Sequence, residues 1–158
     1  SKRVFDRLSR VLHDSLSQVE PNNILGEKEV KVVYQTQEDL DKSLLKLLEN
    51  HKSSGVLDHR ITILTLSEKA IEHIMRSFDG LNIRRLSENN SFLNMSGITL
   101  AQVHDFKGLE NDYIILYGID KPLDKIEKEL YVGISRARIG LSLMFKMTEY
   151  HSYLKILS

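Results

Sequence analysis

Two short stretches carry side chains suited to chemistry. Residues 102–110 read QVHDFKGLE and set Gln102, His104, Lys107 and Glu110 around Gly108. Lys107 offers a charge to a phosphate, and His104 a hydrogen bond or a stacking face to a base. Glu110 is a suitable acceptor for sugar hydroxyls, and Gly108 stands where a loop must bend or admit backbone close to a ligand. Residues 131–138 read YVGISRAR and end a short helical pattern on Arg136 and Arg138. A guanidinium is always charged, and its planar fork matches phosphate oxygens. Taken singly, each residue has a plainer reading. Two arginines at a helix C-terminus suit the macrodipole; Glu110 reads as a solvated acid, Gly108 as a turn glycine, and His104 as a structural histidine. Phe106, Leu109, Tyr131 and Val132 are assigned to the core.

Apolar runs at residues 98–103 and 113–117 predict strands on either side of the first stretch, which makes it a loop between buried strands. Upstream, Val4, Phe5, Leu8, Val11, Leu12 and Leu16 recur at helical spacing before a Pro21-Asn22-Asn23 turn. Val30, Val32 and Tyr34 alternate as in a half-buried strand. Thr36 with Asp39 caps a helix striped by Leu40, Leu44, Leu47 and Leu48, which ends at Ser53-Ser54-Gly55. ITILTL at 61–66 predicts a central strand, and Ser67 caps a helix with the stripe Ile71, Ile74, Met75 and Phe78, closed by Asp79-Gly80. Residues 82–94 suggest one short strand near Ile83 and then a loop. Asp124 with Glu127 predicts a cap before a helix through Ile126, Leu130 and Ile134. Leu141, Leu143 and Phe145 predict the last strand, and Thr148 a cap on a terminal helix with Tyr150, Tyr153, Leu154 and Leu157 on one face. Strands alternating with helices imply βαβ units and a mainly parallel sheet covered on both sides.

The chain has 158 residues, ordinary hydrophobic (41%) and charged (28%) fractions and a formal net charge of zero. That balance provides no global basic field, so any nucleic-acid contact must be a local patch, weak in isolation. The absence of cysteine removes disulfides and thiolate metal sites and fits a reducing cytoplasm. The six histidines make no set at metal-ligand spacing, and no apolar run approaches the ~20 residues of a membrane span. No GxxxxGK[ST] loop, acidic DExx box, HExxH or GxGxxG is present.

HxxKGLE, a hydrophobic strand, then YVxxSRAR on a helix that runs into another strand: this order resembles motifs V and VI of superfamily 1 DNA helicases of the UvrD/Rep type. The resemblance covers residues 98–144, with weaker support upstream from element order. It implies an α/β, RecA-like three-layer sandwich with a mainly parallel sheet, residues 1–158 forming a single C-terminal motor lobe cut from a larger cytoplasmic protein. In such a lobe Arg136 is the catalytic arginine that reaches the ATP γ-phosphate; Gly108, Glu110 and Arg136 bind ATP; Gln102, His104 and Lys107 meet single-stranded DNA. Mg2+ is expected to be held mainly by an N-terminal lobe of the same protein, together with the missing phosphate loop. The lobe alone is accordingly expected to be inactive as an ATPase and to hold DNA weakly, with no membrane partner. Departures from the family pattern are Gln102 for Thr, Asn111 for an aromatic residue, which is expected to loosen packing beneath the loop, and Gly133 and Ser135 for Ala and Thr. Two other readings remain: a catalytically inert helicase-like lobe serving as a protein-interaction module, and a stand-alone nucleotide-binding domain.

Overall fold

Six short segments rich in β-branched and aliphatic residues pair side by side, and every pairing is parallel. The computed structural model describes residues 29–86 and 93–157. The strands are β1 (Val30–Tyr34), β2 (Ile61–Thr65), β3 (Ile83–Arg85), β4 (Ile98–Gln102), β5 (Asn111–Ile119) and β6 (Ala137–Lys146), in spatial order β1-β6-β5-β2-β4-β3. The helices are α1 (Gln37–Ser53), α2 (Glu68–Ser77), α3 (Glu127–Ser135) and α4 (Met147–Leu157). The helix read at residues 4–16 and the Pro21 turn lie outside the described residues.

Parallel strands need crossovers, and these cover the sheet on both faces. Leu40, Leu44, Leu47 and Leu48 of α1 and Ile71 and Ile74 of α2 pack on one face against Ile63, Leu100, Ile115 and Met144. On the other face Phe106, Leu130 and Ile134 and, from α4, Tyr153 pack against Leu64, Leu116, Leu143 and Phe145. β5 shows why the central strands read as unbroken apolar runs. Tyr113, Ile115 and Tyr117 point to the first face, Ile114 and Leu116 to the second, so both parities are apolar.

The caps on the first face are as the sequence indicates. The Thr36 hydroxyl accepts the Asp39 N–H at 3.1 Å while the Asp39 carboxylate accepts the Thr36 N–H at 3.3 Å, and the Ser67 hydroxyl accepts the Ala70 N–H at 3.2 Å. On the second face they differ. Asp124 sits in a 3-10 turn (Leu123–Lys125), and α3 starts after Ile126 with no side-chain cap. Thr148 lies inside α4, because β6 runs to Lys146 and turns straight into the helix. Three apolar assignments also change: Met75, Leu154 and Tyr131 are exposed, at 39%, 45% and 50%, because each falls on the outer side of its helix once Ile74, Tyr153 and Leu130 are seated.

Two register shifts, one toward each end of the strands, interrupt the pairing of β5 with β6. Between the pairs Leu116↔Leu143 and Ile119↔Phe145, β5 carries an extra residue, accommodated by Gly118 at φ +74°. Between Asn111↔Ala137 and Tyr113↔Gly140 the extra residue is in β6, beside Arg138.

Candidate functional site

The stretch at 102–110 links the carboxyl end of β4 to the amino end of β5, so it must travel the length of the sheet. Gln102 is level with Thr65 and through it with Tyr117, six residues along β5 from Asn111. At roughly 3.3 Å per residue its two ends are about 20 Å apart. A 3-10 turn (Val103–Phe106) begins the descent, and Val103 and Phe106, both buried, and Leu109, partly buried, recur every third residue to anchor it. The intervening His104, Asp105, Lys107 and Gly108 face outward. Gly108 has φ +77°, and a Cβ there would meet nothing within 4 Å, so glycine is needed for the backbone turn rather than for close packing in this lobe.

The structure therefore divides the candidate residues between two rims. Glu110 and Arg136 come together at the amino rim, where Asn111 pairs with Ala137 and the Asn111 N–H donates to the Arg136 carbonyl at 3.1 Å. Gln102 lies at the opposite, carboxyl rim with His104 just beyond it, and Lys107 is exposed on the connection between the rims.

At the amino rim one carboxylate gathers two of the three arginines. Asp112 accepts Arg60 Nε at 2.7 Å and Arg138 Nε at 3.0 Å, and a longer contact of 3.5 Å joins Arg138 to Glu110. Burial pushes the Asp112 carboxyl up, but the Arg60 hydrogen bond and the Arg138 and Arg60 charges more than offset it and hold it below its ordinary range. The β6 bulge brings Arg138 to this carboxylate. Arg138 is thus a structural ion-pair residue. Arg136 has no carboxylate partner among the described residues, and its Nε is buried without a hydrogen-bond partner. Its backbone is fixed on both sides, N–H to Gly133 and carbonyl from Asn111.

Asn111 overturns the expected loosening. It is 2% exposed, and its amide donates to the Thr62 hydroxyl at 2.9 Å and the His59 carbonyl at 3.2 Å while accepting the Asp112 N–H at 2.9 Å. A buried amide with its donors and acceptor used ties the starts of β2 and β5 together, where an aromatic ring would only fill space.

No protein-family model matches the chain. Among curated proteins, the ATP-dependent DNA helicases UvrD2 of Mycobacterium bovis and Mycobacterium tuberculosis are 32% identical over 82 residues, covering 42% of this chain and 12% of the relatives' own length. The chain thus spans about an eighth of these relatives. Among solved structures, the C-terminal domain of a possible DNA helicase from Lactobacillus plantarum WCFS1 superposes with a TM-score of 0.66 at 18% identity, covering 89% of this chain and 84% of that one. The chain is thus similar in sequence to part of the UvrD2 helicases and shares its fold with that C-terminal domain.

The carboxyl rim holds features that carry no sequence motif. The Gln102 amide donates to Glu68 at 2.9 Å, and Glu68 also takes both terminal nitrogens of Arg85. The Arg85 hydrogen bonds hold the Glu68 carboxyl below its ordinary range. Farther along the same rim a cleft of about 300 Å3 opens over the ends of β1, β5 and β6, against the starts of α1 and α2, bordered by Tyr34, Gln37, Ser67, His73 and Lys146. Two of its lining residues meet Asp41: Tyr117 Oη donates to that carboxylate at 2.7 Å, and His73 Nε2 lies 2.7 Å from it. Arg60, Asp112, Glu68 and Arg85 carry no local signal, since each acquires its partner from a different element. Only the position of Asp112, two residues after the KGLE stretch, points toward the site. Among the described residues no trio of His, Asp or Glu is placed to hold a metal ion, and no helix is long and apolar enough to cross a membrane.

Proposed function

We propose that this lobe is the C-terminal half of the motor of an ATP-dependent DNA helicase, lending one wall to an ATP site it shares with an N-terminal lobe. The observation that carries this reading is the state of Arg136. At a rim where Arg60 and Arg138 both bond to Asp112, Arg136 keeps a fixed backbone and a buried Nε with no hydrogen-bond partner, beside Glu110. A guanidinium left short of one acceptor suits the γ-phosphate oxygens of ATP. The bound nucleotide, with Mg2+ held mainly by the other lobe, supplies the scissile phosphoanhydride. This chain's own contributions are limited. Arg136 stabilises the charge that spreads over the transferring phosphoryl group. Glu110, half-exposed and only distantly held by Arg138, accepts from the ribose hydroxyls, and the turn at Gly108 sets where that carboxylate stands.

Gln102, His104 and Lys107 contact single-stranded DNA. The connection at 103–110, anchored by Phe106, joins their rim to the nucleotide rim, so closure at one end is felt at the other. Support comes from the similarity to DNA helicases, the shared fold and the separation of the two residue groups by a single continuous segment. In the intact protein, Arg136→Ala is expected to lower kcat for DNA-stimulated ATP hydrolysis by about 10³-fold or more, while DNA affinity changes little. Turnover near the wild-type rate would overturn the role given to Arg136.

A further inference from the structure

At the edge of the carboxyl rim, three donors from two neighbouring strands converge on one carboxylate. Arg85 ends β3, Gln102 ends β4, and both reach Glu68, the first residue of α2. A guanidinium fork plus an amide N–H is a donor set that serves a phosphodiester as well as a carboxylate. We propose that Arg85 and Gln102 form a phosphate-binding pair for the nucleic-acid strand, covered in the unliganded lobe by Glu68. This rests on the DNA-contact role proposed for Gln102 and His104, and it adds Arg85 as a ligand and Glu68 as the group displaced.

The cover is easily removed. The Arg85 and Glu68 side chains are 38% and 46% exposed, and ion pairs so open to water add little. Exchanging one anion for another leaves no donor stranded, because the phosphate takes up the bonds that Glu68 gives up. His104, two residues beyond Gln102 and 63% exposed, continues the track on the far side. The cover also affects selectivity. Glu72 and Asp105 stand close enough to Arg85 to act on its charge, so with Glu68 in place this corner presents three acids around one arginine. It repels polyanions until the strand is close enough to compete directly for the fork.

The test is fluorescence anisotropy of a labelled oligothymidylate with the intact protein, without nucleotide, across a salt series. Glu68→Gln is expected to tighten Kd about three- to tenfold and to steepen the plot of log K against log salt by about 0.7, the increment for one more neutralised phosphate on a single strand. Adding Arg85→Gln to that variant should reverse both changes. Should Glu68→Gln lower the melting temperature by more than a few degrees, Glu68→Ala replaces it. Unchanged or weaker binding in a folded Glu68 variant overturns the proposal. If Gln102→Ala and His104→Ala weaken binding while Glu68 variants leave it unchanged, only the cover is wrong. An oligonucleotide that binds with indifference to all four residues removes both the cover and the DNA-contact role.

Discussion

Replacing Asn111 by Leu tests whether the amino rim is held by hydrogen bonds or by packing. The two side chains are similar in volume, so the change removes polarity and leaves little cavity. Three bonds go with it: to the His59 carbonyl, the Thr62 hydroxyl and the Asp112 N–H. The Thr62 hydroxyl can rotate to another acceptor, but the carbonyl and the N–H cannot move without shifting their strands. Two stranded backbone groups cost about 1–3 kcal/mol each. Burying the leucine returns about 1.5–3 kcal/mol. The net loss is about 2 kcal/mol, a sizeable share of the ~5–15 kcal/mol that holds a typical domain together. In urea, with a slope of about 2 kcal/mol per molar, the midpoint should fall by about 1 M at unchanged slope. Amide exchange at residues 111 and 113 should quicken in parallel, because the same residue's N–H holds the Arg136 carbonyl. A midpoint equal to or above that of the wild type would show that packing alone suffices there and would refute the account of how Arg136 is positioned.

Gly133→Ala should stabilise the lobe. A Cβ there would lie 3.5 Å from Leu116 Cδ1 and 3.9 Å from Leu64 Cδ1, ordinary contact distances, and removing a helical glycine gains about 1 kcal/mol. Thermal melting should rise by about 2–4 °C, and a fall would mean that α3 cannot accept the methyl. Asp112→Asn should destabilise at neutral pH in a pH-dependent way. The folded-state pKa of this carboxyl is depressed below 3.8, so its contribution is present above 3.8 and lost as pH falls through the lower folded-state value. Urea melts of wild type and variant should differ at pH 7 and converge in acid; a difference of the same size at both ends would show that the carboxylate charge is not what stabilises.

Much of the fold was written locally. Leu40, Leu44, Leu47 and Leu48 behind a Thr36–Asp39 capping box specify α1 without help from the rest of the chain, because capping and amphipathic spacing are short-range. The same holds for α2 behind Ser67 and for the apolar strand of ITILTL. Helix starts on the other face were less legible. Polar residues near Asp124 and Thr148 imitate caps, whereas α3 and α4 begin where the sheet beneath them dictates. Tyr131, Met75 and Leu154 were misplaced for a related reason. A hydrophobic stripe wider than the surface it covers leaves its margin exposed, and only the partner surface defines that margin.

For the site, sequence by itself determined the inventory. It named Gln102, His104, Lys107, Gly108, Glu110 and Arg136 as residues of the right chemistry, in an order that resembles a helicase lobe. It also placed the strands that separate them. Tertiary structure alone decided the distribution: which residues share a rim, that Arg138 is spent on Asp112 while Arg136 is not, and that Glu68 sits on the Arg85–Gln102 pair. The reason is physical. A residue's charge and hydrogen-bonding capacity belong to the residue, but whether that capacity is already satisfied depends on neighbours delivered by parallel strands far away in the chain.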